Sequence, residues 1–283
     1  MSDFVLANDI GGTHITSTLI DTNNWKIQDQ YTLRADVDAL SDKDSILEFW
    51  SGVMKECLKN IPSPSDQAQI GIAMPGPFDY EKGISLMQSQ NKYDALYGVD
   101  VKKELVQRLS TPHILFINDA AAFLQGEVFY NRLTDHDKIL GITLGTGLGS
   151  AVWTKGEKAF DADLWNSPYK DSIFEEHMVT RFLVRRFEEL SGFAEKGFKE
   201  IIENHREKEE FKQLIGEYAH HIADFLHFFS TEHGANHFII GGSIAKAWDL
   251  ITKDYPHLFR PFTIQTGEID EEAALIGAAT LFE

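Results

Sequence analysis

Cysteine is nearly missing from this chain: Cys57 is the only one. A single thiol forms no internal disulfide and builds no Cys-rich zinc centre. Cys57 belongs to the apolar series Ile46, Leu47, Trp50, Val53, Met54, Cys57, Leu58, Ile61, which repeats at helical spacing and predicts a buried structural thiol. Long apolar runs are absent too. None approaches the ~18 residues that cross a bilayer, and Met1–Ala7 carries neither a basic start nor an apolar stretch of export-signal length. The expectation is a cytoplasmic protein without a membrane partner. Cations are scarce, with 26 Lys and Arg against 44 Asp and Glu, a net charge of −18 and a pI near 5.0. Such a surface repels phosphate backbones, which argues against a nucleic-acid partner. Any phosphate site must therefore rest on backbone amides, a metal or a local field. No Gly-Lys-Ser or Gly-Lys-Thr is present, so there is no P-loop.

What is present suffices for large cores: 43% hydrophobic and 12% aromatic residues in 283. That length predicts two domains or two lobes of one enzyme. Phe4–Ala7 reads as a strand, Gly11-Gly12 as a turn and His14 to Asp21 as a returning strand. An amphipathic helix over 44–61 ends at Pro62-Ser63-Pro64-Ser65. Apolar strands follow at 69–74 and 113–117, the second running into Asn118-Asp119 where a helix begins. Residues 139–153 then repeat the opening pattern, with strand, Gly145-Thr146-Gly147-Leu148-Gly149 and returning strand. Two such units predict a duplicated α/β lobe; two unrelated hairpins are the plainer alternative. The remainder reads as mostly helical, with 194–212 a charged, solvated excursion, a strand over 237–240 ending in Gly241-Gly242-Ser243, and a small-residue helix over 270–279.

Three glycine turns thus follow strands, and glycine lets a backbone approach phosphate and aim consecutive N–H groups at it. Singly, each reads as a structural turn. On matched lobes they read as a pair of phosphate grips. Asp9 ends the first strand, either as a turn aspartate bonded to nearby amides or as an acid facing Mg²⁺ through water. Asp119 reads equally as a helix cap or as a base taking a hydroxyl proton during attack on a γ-phosphate. His220, Asp224 and His227 share a helical face, which metal spacing would also produce, but a solvated surface is the simpler reading.

Taken together and in this order, Asp9-Ile10-Gly11-Gly12-Thr13, Pro75-Gly76-Pro77, Asn118-Asp119-Ala120, Leu144-Gly145-Thr146-Gly147-Leu148-Gly149 and Ile240-Gly241-Gly242-Ser243 resemble the ROK sugar kinases. The resemblance runs from about residue 4 to the C-terminus. It implies the actin-like, hexokinase-type ATPase fold: α/β, with two duplicated ribonuclease H-like lobes and a cleft between them. The lobes would be 1–121, joined by a C-terminal helix at 269–283, and 122–268. The implied activity is ATP-dependent phosphorylation of a hydroxyl of a hexose or related sugar, with ATP and Mg²⁺ as cofactors and a homodimer common among relatives. Gly11, Gly12 and Thr13 would hold phosphates from one lobe, with Asp9 facing Mg²⁺. Gly145, Thr146 and Gly147 would do so from the other, with Gly241, Gly242 and Ser243 near the adenosine. Asp119 matches the base, and Asn118, Gly76 and Asn91 match sugar contacts.

The departures are specific. His14 stands where many members have lysine. The Glu-x-Gly-His and His-Cys₃ zinc motif has no counterpart over 157–176, so no structural zinc is expected. Glu175 matches a sugar ligand, and Asp163 and Asn166 have the spacing of the missing Glu and His. ROK repressors resemble this pattern plus a DNA-binding helix-turn-helix. Because Phe4 already starts the first strand, the alternative is a non-catalytic sugar sensor without that domain.

Overall fold

The computed structural model describes residues 4–61, 65–90 and 92–283. Asn91, expected to contact sugar, lies outside them. The chain divides into two compact units, one made of 1–135, 158–160 and 271–283, the other of 136–157 and 161–270.

In the first unit β1 (Phe4–Ile10) turns at Gly11–Thr13 into antiparallel β2 (His14–Asp21), with Ile10 opposite Ile15. Short β3 (Lys26–Ile27) and β4 (Leu33–Asp36) extend that edge. Helix α1 (Lys43–Leu58) starts where the Asp42 carboxylate accepts from the Asp44 and Ser45 amides, which satisfies orphan N–H groups of the first turn. Strand β5 (Gln69–Met74) lies parallel to β1. The hairpin β6 (Phe78–Asp79) and β7 (Ile84–Ser85) precedes α2 (Val101–Leu109), and β8 (Ile114–Asn118) joins parallel to β5. Helix α3 (Asp119–Tyr130) follows without a linking residue.

Alternation assigns the two faces of this sheet. Leu6, Ile10, Ile70, Ile72 and Met74 pack with Ile46, Leu47, Trp50, Met54 and Leu105 of α1 and α2. Cys57 lies in that core, its thiol directed at the Ser17 and Tyr31 carbonyls and pushed up to about 11 by burial. The other face carries small residues, because a helix from the end of the chain lies almost on the backbone there. A Cβ on Gly71 would sit 2.1 Å from the Ala278 oxygen.

The second unit opens with β9 (Lys138–Leu144) and antiparallel β10 (Leu148–Thr154), with Leu144 opposite Leu148. The edge strand is β11 (Phe160–Asp161), and β12 (Pro168–Tyr169) with β13 (Ser172–Ile173) forms a hairpin. Helices α4 (Glu175–Met178), α5 (Thr180–Ser191), α6 (Phe198–His205) and α7 (Glu209–His233) follow. Strand β14 (His237–Gly241) enters parallel to β9. Then come α8 (Trp248–Thr252), α9 (Pro256–Phe259) and β15 (Thr263–Thr266), parallel to β14. Helix α10 (Glu272–Ala279) completes the first unit.

Strand by strand, each unit is a glycine-turned antiparallel hairpin followed by two parallel strands: β2-β1-β5-β8 in one and β10-β9-β14-β15 in the other. The repeat read from the glycine turns is therefore a repeat of topology. Two expectations need correction. Residues 194–212 are not simply a solvated excursion, because Phe198, Ile201 and Phe211 enter the core beneath the exposed charges. The first unit also runs past residue 121 to 135, since α3 packs on α10.

Candidate functional site

In the first unit the turn between β1 and β2 is closed by the Gly11 amide donating to the His14 oxygen at 2.9 Å, while the Val37 amide donates to the Thr13 oxygen at 2.9 Å. Gly12 and Thr13 form the exposed tip. Tyr93, which sequence patterning does not single out, reaches in from the 86–98 loop. It is fully buried, edge-on to Trp50, and its hydroxyl donates to the Gly11 oxygen at 2.5 Å.

Asp9 sits at the end of β1 on the small-residue face. Its carboxyl is pushed up to about 7, first by burial, then by repulsion from Asp119 and Glu271, with Arg34 opposing. Asp9 and Asp119 are thus brought within each other's field. The proton bound by Asp9 sets the sign of a pH effect. Between the ordinary value of 3.8 and about 7 the folded state holds a proton that the unfolded state has released, so stability falls as pH rises through that window. In ligand-free protein at pH 8, Asp9→Asn is expected to raise the melting temperature by about 2–4 °C, the shift for roughly 1 kcal/mol left after solvent screening. The gain should vanish below pH 4; thermal melts across pH of both proteins check it.

Asp119 is the first residue of α3, and it is not the cap. Asn118 caps the helix, its Oδ1 accepting from the Ala120 and Ala121 amides at 2.9 and 3.1 Å. This leaves Asp119 free of that duty, with the Ala120 amide donating to its Oδ1 at 2.8 Å. Its tip stays open to solvent while protein crowds it elsewhere. Burial therefore raises the carboxyl, with the Ala120 amide and then the Lys92 charge pulling it down. Asn118 Nδ2 donates to the Tyr80 hydroxyl at 3.1 Å, and that hydroxyl donates to the Met74 oxygen at 3.1 Å. A Cβ on Gly76 would lie 3.3 Å from the same Tyr80 oxygen, so Gly76 and Asn118 meet through Tyr80.

The second unit holds the other set. Gly145 donates to the Gly147 oxygen at 3.2 Å, and its own oxygen accepts from the Thr180 amide and hydroxyl at 2.9 and 3.0 Å. Gly242 adopts φ +89°, and a Cβ there would fall 2.3 Å from the Leu144 oxygen, so only glycine fits. Ser243 Oγ lies 3.5 Å from the Cβ position of Gly145, which places the two turns side by side. Glu175 is already engaged: one oxygen accepts from the Leu148 amide at 3.0 Å, the other from Arg181 at 2.8 Å. Arg181 also donates to the Thr146 oxygen at 3.2 Å. Arg181 escapes sequence reading because only the fold returns it to the turn. Asp163 is exposed at φ +52° and accepts from the Trp165 indole, while Asn166 is exposed nearby. Their loop closes on α4 through the Glu175 amide and the Trp165 oxygen at 3.0 Å.

Among the described residues no group of three or more His, Cys, Asp or Glu side chains could hold a metal ion. Aromatic packing holds the β12–β13 hairpin instead. Tyr169 stacks on Phe174 with ring centroids 4.3 Å apart, and its hydroxyl donates to Asp224 Oδ2 at 2.6 Å and lies 2.9 Å from His221 Nδ1. Burial and the neighbouring Lys170 push the His221 imidazole down to about 4, so it is uncharged at neutral pH. His220, Asp224 and His227 are exposed on α7, with His220 donating to its own helix at Gly216.

Comparison with known proteins adds four findings. A family model described as the ROK family matches residues 5–160. The glucokinase of Thermotoga maritima is 24% identical over 317 residues, covering 97% of this chain and 96% of that one. The xylose repressor of Bacillus subtilis is 26% identical over 145 residues, 51% of this chain and 35% of that one. The fold is that of a solved ROK family glucokinase from Streptomyces griseus in complex with glucose and AMPPNP, with a TM-score of 0.75 at 19% identity over 98% of each chain.

Proposed function

We propose, from the premise that this chain belongs to the ROK family, that it transfers the γ-phosphoryl group of ATP to a hydroxyl of a hexose or related sugar. The observation that carries the reading is the pairing of an uncapped carboxylate, Asp119, with Asp9 and the Gly11–Thr13 turn in one unit. Phosphoryl transfer asks for positioned amides, a compensated charge and an oriented base. Exposed amides at Gly12 and Thr13 would take phosphate oxygens. Asp119 would accept the hydroxyl proton, its raised carboxyl lying closer to neutral pH, where a general base works best. Asn118 Nδ2 carries two hydrogens, and only one is given to Tyr80; the second would donate to a sugar hydroxyl. Gly76, Asn91, Asp163, Asn166 and Glu175 are further proposed sugar contacts. Of these, Glu175 would have to share its pairing with Arg181.

Gly145, Thr146, Gly147, Gly241, Gly242 and Ser243 of the second unit are further proposed nucleotide contacts. Asp9, whose carboxyl is pushed up by burial and by neighbouring acids, would hold Mg²⁺ through water. When bound, the cation supplies charge compensation for the phosphate oxygens. The names of the Thermotoga maritima and Streptomyces griseus relatives support the substrate class.

Similarity to a repressor supports a second reading, a sugar sensor that transfers nothing. ADP release measured with ATP, Mg²⁺ and a panel of hexoses, N-acetylhexosamines and pentoses separates the two. Sugar-dependent ADP supports the kinase, sugar binding with no ADP supports the sensor, and sugar-independent ADP indicates a simple ATPase.

A further inference from the structure

In the first unit Asp9 lies in the field of two other acids, Asp119 and Glu271, which raise it, with Arg34 opposing. Arg34 is tied to Glu271 at 2.6 Å. His14, beside the turn, is held below its ordinary value by burial and by Arg34, so it is uncharged at neutral pH. Lys92 supplies a positive charge that lowers Asp119.

Lys92 is placed there by its neighbour. Tyr93, with a left-handed φ of +56°, donates its amide to the Ala39 oxygen at 2.8 Å and its hydroxyl to Gly11, fixing residue 93 against the turn. Residue 92 must then emerge beside the tip. Lys92 Cδ lies 3.9 Å from the Cβ position of Gly12, the nearest heavy atom to it. The side chain is half-buried, and its ammonium is near enough to Asp119 to favour the ionised carboxylate. One cation therefore serves both the proposed phosphate turn and the proposed base.

We propose that Lys92 Nζ binds the transferred phosphoryl group, holding its oxygens between the Gly12 tip and Asp119. This deepens the kinase reading and rests on it. As the sugar oxygen bonds to the γ-phosphorus, the bond to the β–γ bridging oxygen breaks. ADP leaves with that electron pair, and the sugar proton passes to Asp119. Negative charge on the transferred oxygens is met by a fixed ammonium in place of water, the arrangement that lowers such barriers most. In this chain, a lysine from the 86–98 loop supplies the cation that residue 14 does not.

The test compares wild type with Lys92→Met and Lys92→Arg. Calorimetric titration with ADP and with a nonhydrolysable ATP analogue, both with Mg²⁺, isolates the γ-phosphate. Expected for Lys92→Met is about a tenfold loss of analogue affinity with ADP affinity within twofold, and a fall in kcat of about 10²–10³ with sugar KM nearly unchanged. Lys92→Arg should recover most of the analogue affinity, because the charge is kept. Equal loss for ADP and analogue, or analogue affinity and kcat both unchanged in Lys92→Met, overturns the proposal. The kinase reading fails differently. If wild type phosphorylates no sugar yet binds the analogue, the titration pair still decides the role of Lys92 at the γ-phosphate; if wild type binds no nucleotide, both readings fall.

Discussion

Asp119→Asn is expected to lower kcat for sugar phosphorylation by about 10²–10⁴, the range for removing a positioned general base, while the affinity for a nonhydrolysable ATP analogue stays within about threefold. The substitution is nearly isosteric, and the helix it begins does not depend on it. Asn118 supplies the capping oxygen, and the bond from the Ala120 amide survives with an amide oxygen as acceptor. Folding stability should change little, and repulsion of Asp9 should ease, because one of the acids raising it is gone. A melting temperature at or above that of wild type, with turnover lost, separates chemistry from collapse. Near-normal turnover would remove Asp119 from the mechanism. Rates with saturating sugar, alongside titration of the analogue, give both halves of the result.

Gly277→Ala should produce the largest loss of stability of any single methyl addition considered for this chain. A Cβ on Gly277 would lie 1.9 Å from the Ala122 oxygen, and reciprocally one on Gly126 would lie 1.9 Å from the Ala273 oxygen. Helices α3 and α10 therefore cross with their backbones in contact, with no flexible side-chain end to yield. Overpacking a core ordinarily costs about 1–3 kcal/mol. Here two helices must separate, and α10 is also pressed on Gly71 of β5, so a cost of about 4–5 kcal/mol, the exceptional end of single mutations, is expected. The control is Gly52→Ala in α1, where a Cβ meets nothing within 4 Å. There the better helix propensity should stabilise by up to about 1 kcal/mol. Thermal melts of both variants check the contrast. Because α3 carries Asp119 at its first position, a surviving fraction of Gly277→Ala protein should also turn over more slowly.

Much of this architecture is legible in the residues themselves. Glycine turns between apolar runs mark both hairpins, since the turn needs glycine locally and the strands need apolar alternation locally. Asp9 and Asp119 stand out for the same reason, being polar groups where an apolar strand stops. What escapes reading is what the fold brings in from afar. Tyr93 and Lys92 come to Gly11 and Gly12 from a loop without periodicity, and Arg181 reaches Thr146 across 35 positions. Asn118 shows a subtler limit. Asp and Asn are both good caps, and adjacent residues compete for the duty, so the choice between them rests on backbone geometry and not on composition. In 194–212 charge outnumbers apolar residues and hides three that face inward.

Helix α10 belongs to the first unit but is synthesised after the whole of the second. At about 5–20 residues per second, the nascent β1–β5–β8 sheet waits on the order of ten seconds for its covering helix. During that interval the Gly71 face and the small-residue flank of α3 are uncovered on the ribosome. Final closure of this half of the molecule waits until α10 has been made, whereas residues 136–270 can settle as they emerge. Chaperone demand should therefore concentrate on the earliest-made strands, and a 1–135 fragment supplied with residues 271–283 as a separate peptide is the minimal piece in which that closure can be watched.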